Sequence, residues 1–109
     1  MKEEIHSKLK DLKKYAKLLE SYQKYGKKEL KKDLTLRGAV ERYLQTALEC
    51  ILDIGQMIIA IKGFRKPEKY KEVILILGEE GILPKDFAKK FAPAAGFRNV
   101  LVHKYAEVD

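Results

Sequence analysis

One long run of helical periodicity constrains the fold more than any other feature of this sequence. Apolar residues recur at steps of three and four over about seven turns; they are Leu36, Val40, Tyr43, Ala47, Ile51, Ile54, Ile58 and Ile61. The opposite side of the same segment is polar and carries Glu41, Arg42, Gln45, Glu49, Asp53 and Gln56. This spacing predicts an amphipathic helix with Thr35 as N-cap and Gly63 as C-terminal stop. Such a helix would be about 39 Å long and needs partners along its length, so the sequence predicts an antiparallel bundle.

The first segment predicts a second amphipathic helix, which runs to about Tyr22. Its apolar stripe consists of Ile5, Leu9, Leu12, Ala16 and Leu19. Gly26 and the basic stretch "KKELKKD" that follows it predict a connector with a short helical turn. No strand pattern occurs in the sequence, which indicates an all-α fold.

Prolines and glycines divide the C-terminal half into two further helices. Pro67 is predicted to open a shorter helix that Gly81 ends, and Pro84 is predicted to be a first-turn residue of the last helix. Pro93 should kink or break that last helix, because it cannot donate a backbone hydrogen bond. Gly55 lowers the helix propensity of the long helix, and close approach of a neighbouring helix is the expected compensation.

Length and cysteine content favour a single cytosolic domain. The 109 residues allow one core, so we expect one domain over residues 1–109. The single cysteine, Cys50, excludes an internal disulfide and suits a reducing compartment. The N-terminal "MKEEIHSKLK" has no apolar signal region, and the longest apolar run, "MIIAI", is too short to span a bilayer.

The net positive charge of the chain favours binding of polyanions. A net charge of +7, from 23 Lys and Arg against 16 Asp and Glu, would attract nucleic acid without sequence preference. The same surplus is also typical of thermophile surfaces, where charged residues replace amides. One open interpretation is therefore a basic bundle that binds nucleic acid through charge alone.

The stretch "GFRNVLVHKY" collects unusual residues, including the only Asn of the chain. If residues 97–105 are helical, one face carries Phe97, Val100 and Leu101 and is predicted to enter the core. The other side carries Arg98, Asn99, Val102, His103 and Tyr105. Because Arg98 and His103 lie about 140° apart around the axis, this helix supplies half a site. A second helix or subunit has to complete it.

These side chains suit cleavage of a phosphodiester. Arg98 offers a permanent charge that can hold a phosphate, and His103 can exchange a proton near neutral pH. Asn99 could orient His103 or a phosphate oxygen, and Tyr105 could position substrate or be a modification target. The 2′-hydroxyl of RNA is an internal nucleophile, so such a site needs neither metal nor cofactor. His6 on the first helix is a weaker candidate.

Other chemistries find no support in the sequence. Cys50 and two distant histidines offer no zinc-ligand spacing. The chain has no glycine-rich phosphate loop and no G-x-S-x-G nucleophile elbow.

The motif and its surroundings resemble the HEPN superfamily. "FRNVLVHKY" has the pattern R-N-x3-H-x-Y, an R-x4-H motif, and is similar to the HepT branch, the toxin partners of minimal nucleotidyltransferases. The resemblance extends upstream through "AVERYLQTALECILDIGQMIIA" and "PEKYKEVILILGEEGILPKDFAKKFAPAAGFRN". It covers the chain from near Leu36 to the end.

The resemblance implies a fold, an activity and a partner. The fold would be an all-α, HEPN-type antiparallel bundle of four or five helices that forms a homodimer and brings two motifs into one cleft. Arg98 and His103 would carry metal-independent cleavage of RNA, with Asn99 as accessory. An MntA-type nucleotidyltransferase antitoxin would transfer AMP to Tyr105 and silence the toxin. Family members usually continue into a further helix, which this sequence would lack.

A second function belongs to a different class. Related bundles serve as non-catalytic adaptor subunits that bind a nucleotidyltransferase and present a substrate to it. RNA cleavage by the chain, and its dependence on His103, would separate the two readings.

Overall fold

A computed structural model describes the backbone of residues 2–106 and the side chains of residues 2–103. Five helices follow one another in this part of the chain: α1 (Lys2–Ser21), α2 (Lys27–Lys32), α3 (Leu34–Lys62), α4 (Tyr70–Glu79) and α5 (Lys85–Ala106). No strand occurs among residues 2–106. The predicted all-α helical bundle is therefore confirmed.

Helix α3 is the centre of the bundle. It contacts each of the other four helices, and α4 and α5 also pack against one another. The core lies where α3, α4 and α5 meet and consists of Leu52, Ile59, Val73, Ile74, Ile76, Leu77, Ala88, Ala92 and Ala95. Three of these, Val73, Ile74 and Ile76, are fully buried. Because the middle of α4, residues 73–77, is wholly apolar, it can be enclosed between the two longer helices.

Helix α1 packs against α3 alone, and none of its residues is fully buried. Tyr15 and Tyr22 both lie against Tyr43 of α3, with 6.0 Å between ring centroids. The Lys8 ammonium donates to the Asp53 carboxylate at 3.1 Å. The half-buried residues of α1 are Ile5, Lys8, Leu12, Tyr15, Leu18 and Leu19, and half-buried Tyr22 directly follows the helix. This set differs from the predicted stripe, because the tyrosines supply much of the contact while Leu9 and Ala16 are exposed.

The ends of α3 confirm one predicted boundary and correct the other. Gly63 ends the helix in the left-handed conformation, with φ of 69°, as the sequence predicted. The N-cap is Asp33, not Thr35: the Asp33 carboxylate accepts a hydrogen bond from the Leu36 amide at 3.0 Å. Thr35 lies inside the first turn.

The two C-terminal helices begin later than predicted. Pro67 belongs to the connection before α4, which starts at Tyr70, and Pro84 immediately precedes α5. The Pro84 carbonyl accepts from the Ala88 amide at 2.9 Å, so Pro84 is the cap residue. Gly81 adopts positive φ directly after α4, as expected for a stop. Of the kink or break predicted at Pro93, the break does not occur, since α5 continues through it. Pro93 lies on the exposed side, where water can solvate the free carbonyl.

Two glycines allow helices to approach closely. A Cβ atom added at Gly55 would lie 2.6 Å from Val73 Cγ1, which confirms the close approach predicted there. The second contact was not predicted: a Cβ at Gly78 would lie 2.5 Å from the Cβ of Ala88. The first glycine brings α4 onto α3, and the second brings α5 onto α4.

Helix α3 is also long and apolar enough to cross a membrane by length and composition alone. Within this bundle, however, 44% of its most apolar window is buried against other helices. A core helix of a bundle meets the same criterion, so the apolar character of α3 has an explanation in the fold.

Candidate functional site

Helix α5 presents a different face to the core from the one predicted. The buried residues are Ala88, Ala92, Ala95 and Leu101, whereas Phe97 is 51% exposed and Val100 57% exposed. The prediction that Phe97 and Val100 enter the core is therefore wrong, and only Leu101 does. The reason is geometric: Phe97 lies about 200° around the helix axis from Ala95, so a helix that buries Ala88, Ala92 and Ala95 leaves Phe97 on the opposite side.

Arg98 lies on the edge of this buried face and is fixed by three groups. Its guanidinium carbon lies 5.3 Å from the ring centroid of Tyr70, at the start of α4. Its Nη1 donates to Asn99 Oδ1 at 3.2 Å, and its Nε lies 3.7 Å from Glu49 Oε1 of α3. The side chain is 28% exposed, so the guanidinium is held in place and still reaches solvent.

The carboxylate that pairs with Arg98 is itself positioned from within α3. Gln45 Nε2 donates to Glu49 Oε1 at 3.0 Å, and Gln45 is the one buried polar residue among the described side chains. On the polar side of α3, Gln45 is buried and Glu49 is half-buried, and Glu49 faces α5 through its contact with Arg98.

An open cavity of about 650 Å³ adjoins Arg98. It is formed by the connection that leads into α4, by α3 and by α5, and it is lined by Gln56, Pro67, Glu68, Lys69, Tyr70, Lys71, Val73, Gly96 and Asn99. Two residues are common to the cavity and to the surroundings of Arg98. Tyr70 lies beneath the guanidinium, and Asn99 accepts its hydrogen bond.

His103 is exposed and makes no hydrogen bond or ion pair with any described residue. It follows Asn99 by four positions, so the two lie on one line along α5, about 6 Å apart along the axis. No contact joins His103 to Arg98 among the described side chains. Within one chain, the two halves of the motif therefore lie on neighbouring faces of α5. His6 is exposed on α1, away from this helix.

The side chain of Tyr105 lies outside the described residues, so its predicted role stays a prediction. Among side chains 2–103, no group of three or more His, Cys, Asp or Glu lies close enough together to hold a metal ion. Cys50 is buried, and burial raises the pKa of its thiol.

Comparison with known proteins assigns the chain to a family. The family model described as ribonuclease HepT-like matches residues 12–109. The chain belongs to the HepT-like family. The resemblance seen in the sequence is thereby confirmed, and the five described helices agree with the HEPN-type bundle that it implied.

Two curated relatives extend this comparison. A protein named tRNA nuclease HepT, from Aphanizomenon flos-aquae (strain 2012/KM1/D3), is 36% identical over 69 residues, which cover 63% of this chain and 47% of the relative. A protein named putative RNase, from Archaeoglobus fulgidus, is 36% identical over 66 residues, which cover 61% and 49% respectively. The matched part of the HepT-like chain thus spans about half the length of these relatives.

Sequence reasoning identified Arg98 and Asn99 but missed two residues that surround them in this HepT-like chain. Glu49 belongs to the polar side of α3 and Tyr70 to the start of α4, and neither is part of the motif. A signal for Glu49 existed, since Gln45 and Glu49 are four apart on one helix face. No local pattern marks Tyr70, because its role depends on how α4 meets α5.

Proposed function

We propose that this HepT-like chain is the toxin of a HepT/MntA-type toxin–antitoxin system and acts as a metal-independent RNA endonuclease. The observation that carries the proposal is the arrangement on α5. Arg98 is held on Tyr70 and hydrogen-bonded to Asn99, while His103 lies exposed one turn beyond Asn99. Membership in the HepT-like family and the relative named tRNA nuclease HepT support RNA as the substrate.

The proposed reaction uses the nucleophile that RNA itself carries. His103 takes the proton of the 2′-hydroxyl as its oxygen attacks the adjacent phosphorus. The bond from phosphorus to the 5′ oxygen breaks, and the leaving oxygen takes up a proton, which gives a 2′,3′-cyclic phosphate and a 5′-hydroxyl. Arg98 binds the phosphate oxygens and stabilises the charge that develops on them, with Asn99 keeping the guanidinium in place.

The active form in this proposal is a homodimer. Phe97 and Val100 are more than half exposed. Phe97 directly precedes Arg98 on α5, and Val100 directly follows Asn99. Apolar side chains in such a position are covered when a second copy packs against the same face. That packing would bring the Arg98 of one copy near the His103 of the other and close the gap between the two faces of α5.

The regulation and the cellular location of the toxin are also inferred from the family. An MntA-like nucleotidyltransferase would attach AMP to Tyr105, seven positions after Arg98 and hence on the same line of α5. The added bulk and negative charge would compete with phosphate for Arg98. Both partners and the RNA substrate would meet in the cytoplasm.

RNA cleavage is the decisive assay, and the chain provides its own control. His103→Ala should abolish cleavage of RNA and the arrest of growth on expression, whereas His6→Ala, which changes the other histidine, should leave both unchanged. Cleavage should persist in excess EDTA. If wild type cuts no RNA yet still co-purifies with the nucleotidyltransferase, the chain is an adaptor and the toxin proposal is wrong.

Dimerisation has a matched control on the same helix. Phe97→Ser should shift the protein from dimer to monomer in analytical ultracentrifugation and lower cleavage. The control is Phe87→Ser, since Phe87 is 49% exposed and Phe97 51% exposed. Phe87 lies about 15 Å from Phe97 along α5, toward the N-terminal end of the helix. Dissociation by neither variant would place the interface elsewhere.

Modification can be followed by mass. Incubation with the partner nucleotidyltransferase and ATP should add AMP to wild type and stop cleavage, while Tyr105→Phe should remain unmodified and active. Tyr25→Phe, on the far N-terminal segment, should behave as wild type. Modification of the Tyr105→Phe protein would assign the regulatory site to another residue.

A further inference from the structure

We infer that the cavity beside Arg98 binds one unpaired nucleobase of the RNA, next to the phosphate that is cleaved. This inference deepens the proposed function and rests on it, since it assigns the part of the substrate that lies beside the reacting phosphate. The volume of about 650 Å³ falls within the range of roughly 300–1,000 Å³ in which small ligands bind. The cavity is open, so a base of a single strand can turn into it.

Tyr70 provides the aromatic surface that recognition of an unpaired base requires. Proteins that read single-stranded RNA stack its bases on aromatic rings or on arginine planes. Here a guanidinium already lies over an aromatic ring, because the Arg98 guanidinium carbon is 5.3 Å from the Tyr70 centroid. Tyr70 also lines the cavity, so a base that enters contacts the same ring that supports Arg98.

The polar groups around the cavity suit the edges of a base. The Gln56 amide has no hydrogen-bond partner among the described residues, and it offers both donor and acceptor. Asn99 uses its Oδ1 for Arg98, which leaves its Nδ2 as a donor toward the cavity. The Glu68 carboxylate adds an acceptor for a ring or exocyclic N–H group.

Two exposed lysines favour a nucleotide over a neutral ligand. Lys69 and Lys71 both line the cavity, and neither forms an ion pair with a described residue. They can bind the phosphates that flank the base, in the way that basic grooves follow single strands.

The position of the cavity along α5 sets the register with the motif. Gly96 and Asn99 line it, and His103 is the next residue on the same line of the helix. The distance from Asn99 to His103 along the axis is about 6 Å. A base in the cavity therefore places its neighbouring phosphate beside Arg98 of the same copy, and in the proposed homodimer His103 of the other copy faces that phosphate.

The test measures binding without cleavage. In the His103→Ala background, fluorescence anisotropy with a labelled single-stranded RNA is compared with a ribose-phosphate oligomer of equal length that lacks bases. Gln56→Ala is the main variant, because Gln56 is exposed and outside the core. Gln23→Ala, another exposed glutamine, is the matched control. Tyr70→Leu tests stacking, with circular dichroism to verify folding.

Gln56→Ala should weaken binding of the RNA by about fivefold, from the loss of a hydrogen bond, and leave the oligomer without bases unaffected. Folded Tyr70→Leu should weaken RNA binding by about tenfold. Equal loss for both probes, or no difference from Gln23→Ala, overturns the inference even if Tyr70→Leu is unfolded.

The two proposals fail separately. If cleavage depends on His103 but Gln56→Ala does not change RNA binding, the ribonuclease proposal stands and the base-site inference is wrong. If Gln56→Ala selectively weakens RNA binding but the wild-type chain cuts no RNA, the base site stands and the ribonuclease proposal is wrong.

Discussion

The same glycine-to-alanine change should have opposite effects at two positions of α3. Gly55 and Gly38 both lie inside this helix. A Cβ at Gly38 would have no atom within 4 Å, whereas at Gly55 it would lie 2.6 Å from Val73 Cγ1 and 3.2 Å from Leu77 Cδ1. The two substitutions share the backbone effect and differ in packing alone.

The magnitudes follow from that difference. Alanine in place of glycine inside a helix stabilises the folded state by about 0.8–1.0 kcal/mol, which is the whole effect expected at Gly38. At Gly55 the new methyl group overlaps a neighbour, and overpacking costs about 1–3 kcal/mol. Val73 is fully buried and β-branched, so it cannot turn aside, and we expect the upper half of that range. Gly55→Ala should therefore destabilise by about 1–2 kcal/mol net.

Urea unfolding followed by circular dichroism measures both effects. The urea midpoints of the two variants should lie on opposite sides of the wild-type midpoint. In thermal unfolding their midpoints should be several degrees apart, since about 1 kcal/mol corresponds to roughly 4–8 °C in a domain of this size. In the background of Val73→Ala the cost at Gly55 should fall by more than about 1 kcal/mol, because the clashing methyl is gone. Equal stabilisation by both alanines would refute the close approach of α4 and α3.

Three further outcomes follow from side chains described above. Glu49→Gln should tighten RNA binding by about fivefold, because it removes a negative charge beside the Arg98 guanidinium, and anisotropy titration at fixed salt measures this. Cys50 is buried and its thiol pKa is raised, so iodoacetamide should modify the folded protein more than about tenfold more slowly than the urea-unfolded protein, as followed by mass spectrometry. The hydrogen bond from Arg65 lowers the pKa of Glu79, so this pair stabilises the fold above the unfolded-state pKa and the contribution is lost as the pH falls through the folded-state pKa. Glu79→Gln should then lower the unfolding midpoint at about pH 7 and leave it unchanged well below about pH 4.

The sequence was sufficient for most of the helices and for the residues of the motif. Helical spacing located α1 and α3, and Gly63 and Gly81 stop helices where their positive φ values allow it. These features depend on a few neighbouring residues, so local rules apply to them. The N-cap at Asp33 was missed because Asp33 and Thr35 are both acceptable caps and stand two positions apart.

The face of α5 was beyond the reach of local rules. Periodicity assigned Phe97 and Val100 to the core because they are large and apolar, whereas the structure buries Ala92 and Ala95 instead. The choice depends on which side of α5 faces α4, and the side that carries Ala88 does so, in close contact with Gly78. For the same reason the cavity, which is built from three segments distant in sequence, could not be anticipated.

The one-sided attachment of α1 implies that the bundle has two levels of cooperativity. Detaching α1 would expose part of a single face of α3 and leave the enclosed core of α3, α4 and α5 intact. The free energy of that opening is therefore smaller than that of global unfolding, and amide protons of α1 should exchange with deuterium well before those around Val73 and Ile74. During folding, α1 can remain undocked until α3, α4 and α5 have assembled, although it leaves the ribosome before them.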